Sequence, residues 1–133
     1  DELLAQAKGV LVFPDVVKMG FGVGGQYGEG SLLVNDVPVA YYSTAGASFG
    51  LQLGAQFKTE VILFMTDESL QEFRDSRGWE AGVDASVALI TAGAGGSIDT
   101  KRITQPVIGF IFSNKGLMYN LTLEGSKITR LAR

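Results

Sequence analysis

Carboxylates, hydroxyls and a scattered set of lysines and arginines are the side chains that could do chemistry here, because the chain has no histidine and no cysteine. Without an imidazole there is no Ser-His-Asp triad, no base poised near neutral pH and no His-ligated metal. Without a thiol there is neither a disulfide framework nor a thiolate nucleophile. Paired carboxylates could still work alone, and Asp67/Glu68 and Asp15/Glu29 are the pairs to consider. Asp67 and Glu68 follow Thr66 at the head of a helical pattern, where negative charge is favourable for structural reasons. Nothing in the sequence brings Asp15 to Glu29. An enzyme, a cofactor and a metal site are therefore not expected.

The cations are distributed unevenly. From residue 101 onward there are six, Lys101, Arg102, Lys115, Lys127, Arg130 and Arg133, against the single acid Glu124. That stretch carries +5, and with a net charge of −3 the remainder carries −8. Asymmetry of this kind can steer a protein toward an anionic surface; the alternative is a set of solvated positions that never converge. The acidic overall balance, with no RNP-like or helix-turn-helix pattern, speaks against nucleic acid.

A chain of 133 residues suits one domain, and no linker divides it. Residues 2–8 suit the last turns of a helix stopped by Gly9, followed by a short strand, Val10 to Phe13, closed by Pro14-Asp15. Glycines then fall at 20, 22, 24, 25, 28 and 30, with Phe21, Val23 and Tyr27 between them. As a strand, this segment has one apolar face and one nearly bare of side chains. Ala45 to Ala55 repeats the pattern, so both strands are expected to coil strongly or admit a close neighbour. Between them, Val37 to Tyr42 reads as a strand after an Asn35-Asp36 turn. Val61 to Met65 is a buried strand leading into a helix with Thr66 as N-cap, Met65 and Leu70 as a hydrophobic staple, and Gly78 as the stop. Trp79 to Ile90, Val107 to Phe112, Leu117 to Leu123 and Lys127 to Leu131 complete the strands, with Ser113 to Gly116 a hairpin turn. The expected class is α+β: predominantly antiparallel, strongly coiled sheet, barrel-like, with one or two packed helices.

Two glycine motifs have bland explanations. Gly20-Phe21-Gly22-Val23-Gly24-Gly25 satisfies G-x-G-x-x-G, but a dinucleotide site needs a following helix, and Gln26 to Gly30 is a poor one. Gly46, Gly50 and Gly54 match a membrane-helix packing spacing, yet Ser48, Gln52 and Gln56 make the segment too polar to span. No apolar run approaches the roughly 18 residues of a membrane span. Tyr41, Tyr42 and Trp79 could meet a headgroup layer or pack a core. The chain begins with Asp1 and is expected to be a processed or trimmed fragment, with a signal peptide or lipid anchor lost upstream.

Several segments together resemble the SYLF domain family. Ala7-Lys8-Gly9-Val10-Leu11-Val12-Phe13 and Lys18-Met19-Gly20-Phe21-Gly22 look like its opening. Gly24-Gly25-Gln26-Tyr27-Gly28-Glu29-Gly30 and Gly50-Leu51-Gln52-Leu53-Gly54-Ala55-Gln56 come next in family order, and Ser113-Asn114-Lys115-Gly116-Leu117 and Leu123-Glu124-Gly125-Ser126 close it. The resemblance spans Ala7 to Arg130 and implies a lipid-binding module. Eukaryotic members bind phosphoinositides and some engage actin, often beside an SH3 domain. The chain looks closer to the bacterial branch, which implies an exported or lipid-anchored protein of the periplasm or outer membrane. Its N-terminal helical region looks truncated, and actin binding is not expected to transfer.

The sequence reading is thus a non-catalytic module for anionic phospholipid headgroups or acyl chains at a membrane surface. Lys101, Arg102, Lys115 and Lys127 are the first headgroup candidates, with Lys8 and Lys18 next because they sit in family-like motifs. Each basic residue near an anionic surface contributes about 1 kcal/mol, so four suffice for weak binding only if they converge. The rival is a structural or protein-interaction domain of the cell envelope.

Overall fold

The computed structural model describes residues 5–19, 24–48, 57–89, 105–113, 116–117 and 126–132. The strands are β1 (Gly9–Met19), β2 (Gly24–Val34), β3 (Val37–Ser48), β4 (Phe57–Phe64), β5 (Gly78–Glu80), β6 (Ala88–Leu89), β7 (Val107–Ser113), β8 (Gly116–Leu117) and β9 (Lys127–Leu131). One helix, α1 (Asp67–Asp75), comes after β4. The strands form a single sheet in the order β5-β9-β3-β2-β1-β4-β7-β6, with β8 also on β7. Every pair is antiparallel except β6 with β7. This is the α+β, coiled antiparallel architecture that the sequence predicts.

Pro14 does not close β1. The strand runs through it to Met19, and its register shifts between Phe13 and Val16 against β4 and between Val12 and Val17 against β2. A proline cannot donate to a ladder, and a bulge is where a strand tolerates one. Its carbonyl remains useful, accepting from the Thr59 hydroxyl at 2.7 Å. The bare face of β2 is used at the same level: a Cβ on Gly30 would collide with the Val12 carbonyl oxygen and the Phe13 ring. Only glycine lets β1 and β2 approach and coil as they do.

β2 and β3 are joined by Asn35 and Asp36 with φ of 53° and 63°, the left-handed pair that a two-residue hairpin turn requires. β3 then continues unbroken to Ser48, absorbing the two strands expected at Val37–Tyr42 and from Ala45 onward; residues 49–55 of the second lie outside the described residues. Leu32 pairs with Ala40 and Leu33 with Pro38, so Val39 is an extra, unpaired residue bulging from β3.

The main core lies on the inner face, where α1 packs. Thr66 caps the helix, its hydroxyl accepting from the Ser69 amide at 3.1 Å. Leu70 and Phe73 face inward, and the Phe73 ring sits 4.6 Å from Phe64, 4.6 Å from Tyr42 and 5.4 Å from Trp79. The helix stops at Asp75 with Ser76 extended (φ −89°, ψ 137°), so Gly78 is not its terminator but the first residue of β5. No left-handed residue is needed when the chain leaves a helix straight into a strand. The strand expected over Trp79–Ile90 is interrupted at Gly82 (φ 88°), beside a turn in which the Glu80 amide donates to Asp84. On the outer face, Leu63, Ile108 and Phe110 form a second buried cluster with Ala7 and Val10 against it. The segment 117–123 lies largely outside the described residues.

Candidate functional site

The cations singled out by sequence do not gather where they can be located. Lys8 is exposed just ahead of β1, its amide donating to the Phe64 carbonyl at 2.8 Å. Lys127 is exposed at the start of β9, opposite Ala45 and Glu80. Because Val17 pairs with Tyr27 and Tyr27 with Ala45, Lys127 is level with the far end of β1. Lys8 and Lys127 thus mark opposite ends of the sheet. The register sets Lys18 opposite Gln26, toward the Lys127 end. Lys101, Arg102 and Lys115 lie outside the described residues.

The other candidates resolve simply. Asp67 and Glu68 occupy the first turn of α1. Asp15 and Glu29 are both exposed, and the Glu29 carboxylate accepts from the Tyr27 hydroxyl at 3.4 Å. Tyr41 is exposed, whereas Tyr42 and Trp79 are core residues. Gly24-Gly25 opens strand β2 and not a helix, so the dinucleotide reading has no structural basis. Gly50 and Gly54 lie outside the described residues, while Gly46 sits in β3. Among the described residues no group of His, Cys, Asp and Glu could hold a metal, and no helix is long and apolar enough to cross a membrane.

The fold does bring together three other cations. β9 pairs with β5 through Gly78–Thr129, Trp79–Ile128 and Glu80–Lys127. One step further, the Arg130 amide donates to the Arg77 carbonyl at 3.3 Å, placing Arg77 and Arg130 opposite each other. Arg130 is in turn the cross-strand partner of Tyr42 on β3. Arg74, in the last turn of α1, is the neighbour of Phe73, whose ring lies on that of Tyr42. Arg130 and Arg74 therefore lie near one phenol, with Arg77 opposite Arg130. Burial pushes the Tyr42 phenol above its ordinary pKa, and the positive charges of Arg130 and Arg74 partly oppose that rise. The hydroxyl is buried and finds no hydrogen-bond partner among the described residues, a costly state for a polar group.

The sequence offered little sign of this cluster. Arg74 reads as a charge suited to a helix C-terminus, Arg77 as loop, and Arg130 as one of six dispersed cations. Only the β5–β9 pairing, across some fifty residues of sequence, unites them.

A second feature is the β2–β3 tip. β9 covers β3 only from Tyr41 to Ala45, so among the described strands Val37 to Ala40 has no partner on that side. Pro38 there removes a donor from the free edge and guards against edge-to-edge pairing. The tip presents Val37 at 58% exposure, with Val39 and Tyr41 also exposed. Beside it an open groove of about 310 Å³ is lined by Ala5, Ala7, Val10, Leu33, Asn35 and Asp36. An apolar tip, a small-residue groove and Lys8 share this end of the sheet.

Residues 45–132 match a family model, Ysc84, described as Las17-binding protein actin regulator. The chain belongs to this family. Ysc84 is the SYLF domain family, so the membership expected from the sequence holds, and it is a family of binding domains. The Ysc84 match begins inside β3 and includes Arg74, Arg77 and Arg130; β1, β2 and the tip precede it. No curated protein matches the chain.

Proposed function

We propose that this Ysc84 domain is a non-catalytic module that binds anionic lipid at a membrane surface. The observation that carries the reading is the β2–β3 tip, where Val37 and Val39 stand exposed on the edge of β3 that β9 leaves uncovered and Tyr41 is exposed just beyond them. Scattered apolar residues on a surface need no explanation, but three exposed within five residues at one hairpin end make that end a candidate contact. Tyrosine suits the headgroup layer, with its ring in an apolar layer and its hydroxyl in water. Lys8 and the arginines of α1 and β9 supply cations toward this half of the sheet, and Asp36 in the turn works against them. An exported, envelope-associated location belongs to the same proposal.

A protein partner is the second reading, favoured by the family description, which names binding to a protein and regulation of actin. The same tip would then be a contact patch. Flotation with neutral and anionic vesicles at low and high salt separates the two. The lipid reading expects binding to anionic vesicles only, weakened by salt and by Val37→Asp with Val39→Asp. Absence of binding under every condition would leave the protein-interaction module as the better reading.

A further inference from the structure

Arg77 and Arg130 face each other across adjacent strands, and like charges placed so are destabilising. Among the described residues no ion pair offsets them. Three or four residues from Arg74 along the chain stand Leu70, Gln71, Arg77 and Gly78, none of them acidic. Asp75, its acidic neighbour, accepts instead from the Gln71 amide at 2.8 Å. Among the described residues none of the three arginines makes an ion pair. Near them lies the Tyr42 hydroxyl, buried and with no hydrogen-bond partner among the described residues. Three arginines and one buried hydroxyl, none with a partner for its side chain among the described residues, thus sit at one junction in a chain whose net charge is negative.

We infer that Arg74, Arg77 and Arg130 form a binding site for a phosphate group, with the Tyr42 hydroxyl as its innermost donor. Guanidinium presents planar pairs of N–H donors matched to the oxygens of phosphate, which is why arginine is preferred over lysine for this task. A tetrahedral anion among the three would screen the Arg77–Arg130 repulsion. It would also give the phenol the acceptor it lacks, once the arginine side chains part on their flexible stems. The phosphate is either that of an anionic lipid headgroup or a free phosphate ester. The lipid form rests on the function proposed above; the site itself does not.

The test uses the full chain and two kinds of probe. Inorganic phosphate and glycerol phosphate are titrated while the arginine side-chain N–H resonances are monitored by NMR. Vesicles of phosphatidylcholine with phosphatidic acid or phosphatidylglycerol are then tested by flotation. The double variant Arg77→Gln/Arg130→Gln is compared with Lys18→Gln/Lys58→Gln, which removes the same charge at the other end of the sheet. Loss of the guanidinium contacts is expected to weaken binding by more than about tenfold, the lysine pair only slightly, and Arg130→Lys to fall between because it keeps charge without the fork. Phosphate binding with no vesicle binding would uphold the site and remove the lipid reading. Vesicle binding that survives the arginine changes as well as the lysine changes would overturn the site and leave the lipid reading standing. No response of the arginine resonances and no flotation would overturn both.

Discussion

Arg77 and Arg130 stand opposite each other at the junction of helix α1 and the β5–β9 pair, joined by a backbone hydrogen bond of 3.3 Å although they are distant in sequence. Their charges are both exposed and neither has a counter-ion among the described residues. Removing one should therefore relieve repulsion. Arg130→Gln is expected to leave stability unchanged or raise it by about 0.2–1 kcal/mol at low salt, with the gain shrinking as salt is added. Urea denaturation at two ionic strengths checks this; a clear loss of stability would mean that the guanidinium holds the fold.

Tyr42 makes a related case from the buried side. Its ring packs 4.6 Å from Phe73 while its hydroxyl has no hydrogen-bond partner among the described residues. Tyr42→Phe keeps the ring and removes the orphaned group, so stability should hold or improve by about 1 kcal/mol. The pH dependence has a defined sign. Burial raises the phenol's pKa in the folded state above its ordinary value near 10, so the unfolded chain loses this proton first. The contribution is fully present below pH ~10 and is lost as pH rises from there through the folded value. Thermal melts across that alkaline range should show a steeper decline for the wild type than for Tyr42→Phe.

Gly30 tests the coiled crossing of β1 and β2. A methyl group there meets the Val12 carbonyl oxygen, a backbone atom that cannot swing aside. Gly30→Ala should cost at least about 2 kcal/mol, measured by chemical denaturation. A neutral outcome would show that the two strands have room to separate.

Asp36 offers a change in the opposite direction for binding. It sits in the turn at the tip, exposed, and would repel an anionic surface. Asp36→Asn tolerates the same left-handed backbone and should strengthen flotation with anionic vesicles, by up to about fivefold at low salt, while leaving neutral vesicles unbound. Weaker binding would place the tip away from the membrane.

The parts legible in the sequence were those fixed by local chemistry. Thr66, Asp67, Glu68 and Leu70 announced the helix start because capping acts over four residues. Asn35-Asp36 announced the hairpin because few residues accept its backbone. Glycine spacing announced a close crossing, and Gly30 supplies it. The errors were at boundaries. Pro14 and Gly78 read as stops, yet a bulge absorbed one and a direct helix-to-strand exit made the other unnecessary. The arginine cluster was illegible for a different reason. It depends on the register of β5 with β9 and of β9 with β3, which no local pattern encodes. Charge counting pointed to the basic stretch from residue 101 onward, which holds Arg130 but neither Arg74 nor Arg77, and could not say which cations share a face.

Membrane contact through the tip is the central claim, and the absence of cysteine makes it directly measurable, since one introduced thiol gives a single labelling site. Val37→Cys, carrying an environment-sensitive fluorophore, would be mixed with phosphatidylglycerol vesicles beside Val83→Cys, an exposed position in the turn after β5. The account predicts a blue shift and brightening at position 37 with anionic vesicles, none with neutral ones, and no change at position 83. Equal spectra at both positions on vesicles that demonstrably carry the protein would contradict insertion of the β2–β3 tip.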